Sequence, residues 1–117
     1  MLKIDQTQLD SLETDRRRAF ACELAERARG RNPKECAEFD DDALTDAMEA
    51  EIVAARAAGL RRRSELERFT DLAAVLGFGF SAAEDWARAA FADEALKPEE
   101  RLSQAEETAV FVVMERG

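Results

Sequence analysis

The sequence predicts an all-α protein: a single compact domain over residues 1–117, built as a bundle of about five main helices joined by short loops. Three observations carry that expectation. The composition is 46% hydrophobic and 37% charged, with only 2 prolines and 5 glycines and no tyrosine, and alanine, glutamate, arginine and leucine dominate. Such a mixture favours long helices over pleated strands. Apolar residues recur at spacings of three and four along most of the chain, the period of a helix with one buried face. Helix-start and helix-stop residues then cut the chain into segments, with no linker long enough to separate two domains.

Taken in order, Leu2 and Ile4 precede Asp5, a good N-cap with Gln8 three residues on. Leu9, Leu12, Arg16, Ala19, Phe20, Leu24 and Ala28 share one face, and Arg27 and Arg29 suit the negative end of the helix dipole. Gly30 is a natural terminator, so the first helix is expected over about residues 6 to 29. Asn32-Pro33 restarts the chain into a short turn to Glu38 that carries Cys36 and Ala37 inward. Phe39 then precedes Asp40, Asp41 and Asp42. Their spacing lacks the alternating oxygen ligands and central glycine of a calcium loop, so they read as caps and dipole partners for the next helix. That helix buries Leu44, Ala47, Met48, Ile52, Ala55 and Ala58, and Gly59 ends it.

The stretch from Gly59 to Trp86 concentrates turn signals and aromatic residues. Ser64 and Glu67 form a capping-box pattern, followed by a short helix with Leu66, Phe69, Ala73 and Leu76 inward and Gly77 at its end. Gly77-Phe78-Gly79-Phe80 does not fit any phosphate-loop pattern. It fits a corner in which the glycines turn the chain and the phenylalanines fill the core. Ser81 and Glu84 repeat the capping-box pattern, ahead of a helix with Trp86, Ala89 and Ala90 on one side and Phe91 beside them. Asp93 to Lys97 connect to a last helix that Pro98 opens, with Leu102, Ala105, Ala109, Val112 and Val113 as its core stripe. Val110, Phe111 and Met114 widen that stripe beyond one face, which suits a helix central in the bundle or one docked on a partner.

The charge sets the first limits on function. Net charge is −9 at neutral pH, opposite in sign to the cationic surface that nucleic acid or anionic membranes require. Neither nucleic acid nor membrane is therefore an expected partner, whereas a basic protein surface is a natural one. No apolar run reaches membrane-spanning length and the first residues lack a signal-peptide core, so a cytoplasmic location is expected. Cys22 and Cys36 fall on separate segments without histidine anywhere, which suits two reduced, partly buried thiols and leaves no zinc set. With no histidine base and no cofactor fingerprint, the chain is expected to be non-enzymatic, with no cofactor and no metal. The candidate contact residues are Arg61, Arg62 and Arg63, a cationic corner on an acidic protein, and Val110, Phe111 and Met114 on the last helix.

The order of landmarks resembles a group of small helical proteins encoded in bacterial type VI secretion clusters that carry PAAR-tip effectors. The landmarks are Phe20 and Leu24, Asp41 to Leu44, Ala57-Ala58-Gly59-Leu60, Glu65 to Phe69, Leu76-Gly77 with Phe80, Trp86-Ala87, and Leu96-Lys97-Pro98 with Arg101-Leu102. They span nearly the whole chain, and all are structural residues. Where that group has a tyrosine-glycine pair this chain has Ala58-Gly59, and its alanine-rich C-terminal end is here Val110 to Met114. The resemblance implies a co-chaperone or adaptor that binds an effector or its chaperone before secretion, and it carries over no binding residues. Two other expectations stand beside it. One is an immunity or inhibitor protein whose acidic surface blocks a toxin. The other is self-association into a homo-oligomer through Val110 to Met114.

Overall fold

A computed structural model describes residues 6–116, with side chains described from residue 13 onward. These residues form seven helices and no strand: α1 (Gln6–Arg31), α2 (Pro33–Cys36), α3 (Asp41–Ala57), α4 (Arg63–Leu76), α5 (Phe80–Ala83), α6 (Asp85–Ala92) and α7 (Pro98–Arg116). The five of eight residues or more are the main helices, and α2 and α5 are single turns within the corners. No helix among the described residues is long and apolar enough to cross a membrane. The expected N-cap Asp5 and the inward positions Leu9 and Leu12 lie outside what is described.

Helix α4 sits at the centre. It packs against α1, α2 and α3 on one side and α7 on the other, while α6 covers α7. Its sequence explains the position, because two faces are apolar enough to bury. Leu66, Phe69, Ala73 and Leu76 join Leu60, Phe80, Ala87, Leu102 and Ala109 in one core cluster. Ala74 joins a second cluster with Leu24, Ala28, Cys36, Leu44, Met48 and Ile52. Phe20 and Phe78 touch both clusters, which makes the interior continuous. Phe69 is fully buried, with the Phe80 and Phe91 rings at 5.2 and 5.3 Å between centroids, within the range of favourable aromatic pairs.

Several boundaries differ from the sequence expectation, each for a local reason. Helix α1 passes through Gly30 to Arg31, since the chain does not need to turn until Asn32, whose N–H still bonds the Ala28 carbonyl at 2.7 Å. Its buried face is Ala21, Leu24, Ala25 and Ala28, with Phe20 half-buried. Arg16 and Ala19 are exposed. Ala37 is exposed while Cys36 is buried. Asp40 caps α3, its Oδ1 accepting from the Ala43 N–H at 2.7 Å.

Helix α4 begins at Arg63, ahead of the Ser64 cap that the sequence suggests. Glu65 Oε1 accepts from the N–H groups of Arg61 and Arg62 at 3.1 and 2.9 Å, so the capping carboxylate is Glu65 in place of Glu67. Those two bonds hold the Glu65 carboxyl below the usual carboxylate range, with Arg62 the larger cause. The pattern at Ser81 does not form a cap either. Gly79, at φ 86°, already turns the chain, and its carbonyl accepts from Ala82 and Ala83, which places Ser81 inside α5. Helix α6 then starts from an extended Glu84 and buries Ala87, leaving Ala89 exposed.

Helix α7 is helical through Val110–Met114, and it is peripheral. Leu102, Ala105 and Ala109 are buried, but beyond them Val110, Phe111, Val113 and Met114 are 57, 66, 41 and 72% exposed. The central place belongs to α4, whose position between the two clusters leaves α7 only one side to bury. Arg116 still fixes the far end of α7, pairing with Glu84 and donating to the Leu76 carbonyl.

Candidate functional site: two grooves on either side of the central helix

The first groove lies between α4 and α7. Its floor is Leu72, Val75, Leu76, Ala109, Val110, Val113 and Met114, its rim is Arg68, Asp71 and Glu106, and its volume is about 410 Å³. The rim is rigid because Arg68 grips Glu106 with two parallel bonds, Nε to Oε2 at 3.1 Å and Nη2 to Oε1 at 2.5 Å. That pairing, half-shielded from water, raises the guanidinium's proton affinity further. Asp71 is held from behind by Arg27, Nε to Oδ1 at 3.2 Å and Nη2 to Oδ2 at 3.0 Å. The carboxylates on the rim are thus engaged by arginines and the floor between them is apolar.

Of the predicted contact residues on the last helix, Val110 and Met114 line this groove. Phe111 does not line it and projects into solvent on another side of α7. Val75 on α4, 44% exposed, completes the floor and was not anticipated. The signal was its place outside the 66, 69, 73, 76 stripe, three residues after Leu72, on an apolar position with no assigned neighbour.

The arginine corner is a separate place. Arg61 to Arg63 precede or open α4, whereas the apolar groove lies beside its last turns. At 1.5 Å rise per residue, Arg63 and the first floor residue Leu72 are about 14 Å apart along α4. Two of the three charges are used within the fold. Arg61 Nη1 donates to the Arg56 carbonyl at 3.0 Å, closing the end of α3. Arg63 Nη2 donates to Glu23 Oε2 at 2.5 Å, and its guanidinium lies over the Phe20 ring at 5.0 Å. Arg62 makes no side-chain hydrogen bond or ion pair among the described residues.

Beyond Phe20 the corner opens into a second groove, between α1 and α3, of about 390 Å³. It is lined by Glu13, Arg16, Arg17, Phe20, Ile52 and Arg56. The fold thereby brings members of the two sequence triplets, Arg16 to Arg18 and Arg61 to Arg63, around one phenylalanine.

The interior holds one unusual titratable group. Glu51 on α3 is 3% exposed, its Oε1 accepts from the Gly79 N–H at 2.6 Å, and its Oε2 has no protein partner. Burial pushes its proton affinity up, with the Gly79 bond opposing. Both cysteines are free; Cys36 is buried, which pushes its thiol up, and Cys22 is exposed, against the expectation of partial burial. Neither Glu51 nor Cys36 lines either groove. Among the described residues no group of three or more histidine, cysteine, aspartate or glutamate side chains is arranged to hold a metal ion.

No family model, curated protein or solved structure matches the chain.

Proposed function

We propose that this protein is a non-enzymatic interaction accessory that holds an amphipathic helix of another protein in the α4–α7 groove. The observation that carries the reading is the clustering of exposed apolar side chains. Val75, Val110, Val113 and Met114 are all large, all over two-fifths exposed, and all line the same groove. Contiguous apolar surface of this kind is a usual mark of a docking face, while scattered exposed residues are not. A helix presents apolar side chains at spacings that suit such a trough, and the Met114 thioether adapts to more than one shape.

The resemblance to type VI secretion accessory proteins supplies the class of partner, an effector or its chaperone, with this chain acting as co-chaperone or adaptor. The test is a Val110→Glu/Met114→Glu double variant. Both side chains are exposed, so unfolding free energy should change by less than about 0.5 kcal/mol, while capture of the effector or chaperone encoded beside its gene is lost. Equal capture by the double variant, or intact secretion after deletion of the gene, overturns the reading.

A second reading rests on the acidic start of α3, where the Asp42 and Asp41 side chains are 98 and 95% exposed. In that reading the protein is an immunity factor that covers the basic site of a toxin. Relief of a neighbouring gene product's toxicity by this protein alone, undiminished in the Val110→Glu/Met114→Glu variant, would favour it. Sedimentation that rises with concentration and falls back in that variant would instead assign the groove to a second copy of the chain.

A further inference from the structure

The α1–α3 groove has a chemistry of its own, independent of the apolar groove on the other side of α4. Among the described residues, the arginines with neither a side-chain hydrogen bond nor an ion pair are Arg16, Arg17, Arg56 and Arg62. Three of these four line this one groove. The chain carries 26 acidic residues against 17 basic ones, so a guanidinium on this protein ordinarily finds a carboxylate. Arg18, the next residue on α1, shows the ordinary outcome, bonding Asp46 at 2.6 Å and Glu49 at 3.3 Å. Collecting three unmatched guanidiniums costs repulsion, and among the described lining residues only Glu13 offsets it. The floor beneath them is apolar, formed by half-buried Phe20 and fully buried Ile52.

We propose that this groove receives a short acidic segment of a partner protein, its carboxylates on Arg16, Arg17 and Arg56 and one apolar side chain on Phe20. Guanidinium forks match carboxylates in geometry and charge, and each such bond is stronger than a neutral one. The surroundings decide against a polynucleotide. The positive field is local, because α3 continues into Asp46, Glu49 and the exposed Asp42 on the same side as Arg18. A long polyanion would meet these carboxylates as soon as it left the groove. A short peptide with two or three carboxylates and an apolar anchor ends before it reaches them.

The test follows the arginine Nε–H signals of the full chain by NMR while a labelled synthetic peptide alternating glutamates with leucines is added. Saturable shifts should concentrate on Arg16, Arg17 and Arg56. Replacing Arg16→Gln and Arg56→Gln together should weaken binding, read by fluorescence anisotropy, at least about tenfold, as expected for two lost charge-assisted contacts. Removing the same charge elsewhere, by Lys34→Gln with Arg88→Gln, should leave it within about twofold. The Val110→Glu/Met114→Glu variant should bind the peptide as well as the parent does, so this inference and the α4–α7 reading fail separately. Absence of saturable binding overturns the proposal. So does an equal response to oligothymidylate of matched charge or to inorganic phosphate. Shifts of the same three arginines on raising protein concentration alone would overturn it in favour of a second copy.

Discussion

Glu51 is the residue whose environment departs furthest from its chemistry. Its carboxyl is packed inside, one oxygen bonded to Gly79 and the other without a protein partner. No charged side chain contributes to its shift, which burial dominates. The sign follows directly. The folded state holds the proton more tightly than the unfolded chain, so the contribution of the neutral acid is fully present below the ordinary carboxylate range. It is lost as pH rises through the raised folded value. Glu51→Gln keeps the acceptor for Gly79 and removes the charge. It should therefore stabilise the protein at pH 8 by on the order of 1–3 kcal/mol, the usual cost of a buried group left unsatisfied, and by much less near pH 4. Urea unfolding at the two pH values measures the difference; an equal effect at both would show that the folded and unfolded chains hold this proton alike, so that burial does not raise its value. Glu65 runs the opposite way, its depressed value stabilising the start of α4 above the carboxylate range and ceasing to do so as acid protonates it.

At the scale of the element, glycine placement separates residues the fold requires from residues it only tolerates. Gly59 has φ 92°, and a Cβ built there would lie 2.9 Å from Pro98 Cγ. Gly59→Ala should cost at least about 1–2 kcal/mol from the backbone alone, with more from the displaced start of α7. Gly30 lies within α1 with nothing within 4 Å of its missing Cβ. Gly30→Ala should stabilise by about 0.5–1 kcal/mol. Thermal unfolding of the two variants should shift the midpoint in opposite directions. From the sequence both glycines read as helix terminators, and only Gly59 is one. The stops at Gly59 and Gly77 were legible because each coincides with a change of face. The starts at Ser64 and Ser81 were not, since several capping patterns overlap there. Glu65 competes with Glu67 for the same free N–H groups, and Gly79 turns the chain before Ser81 can cap.

Across the whole molecule, α4 joins the two core clusters, and the fold extends 58 × 37 × 21 Å, about two helices thick along its shortest axis. A chain organised around one shared helix should unfold in a single transition. Phe69→Ala, at the meeting point of the α5 and α6 rings, should cost about 3–5 kcal/mol, a large fraction of a typical domain's total stability. Loss of helicity and of Trp86 fluorescence should then coincide at a lower denaturant midpoint. Separate midpoints would mean that the α1–α3 side holds together without α4. The same arrangement keeps the apolar groove and the arginine groove on different sides, so a partner that reached both would have to wrap the narrow edge of the protein.

Period and capping chemistry, which act over three or four residues, determined from sequence alone that the chain is helical, where most helices run, and that Leu24, Leu44, Met48, Leu66, Phe69 and Leu102 face inward. Composition determined that the surface is acidic. Tertiary structure decided which helix lies at the centre. An apolar stripe records that a face seeks cover but not which neighbour provides it, and α4, with two such faces, took the place that the end of α7 was expected to fill. It also decided which charges are left over. Arg16, Arg17 and Arg56 are ordinary helix arginines until α3 lies beside α1 and Arg18 has taken Asp46 and Glu49.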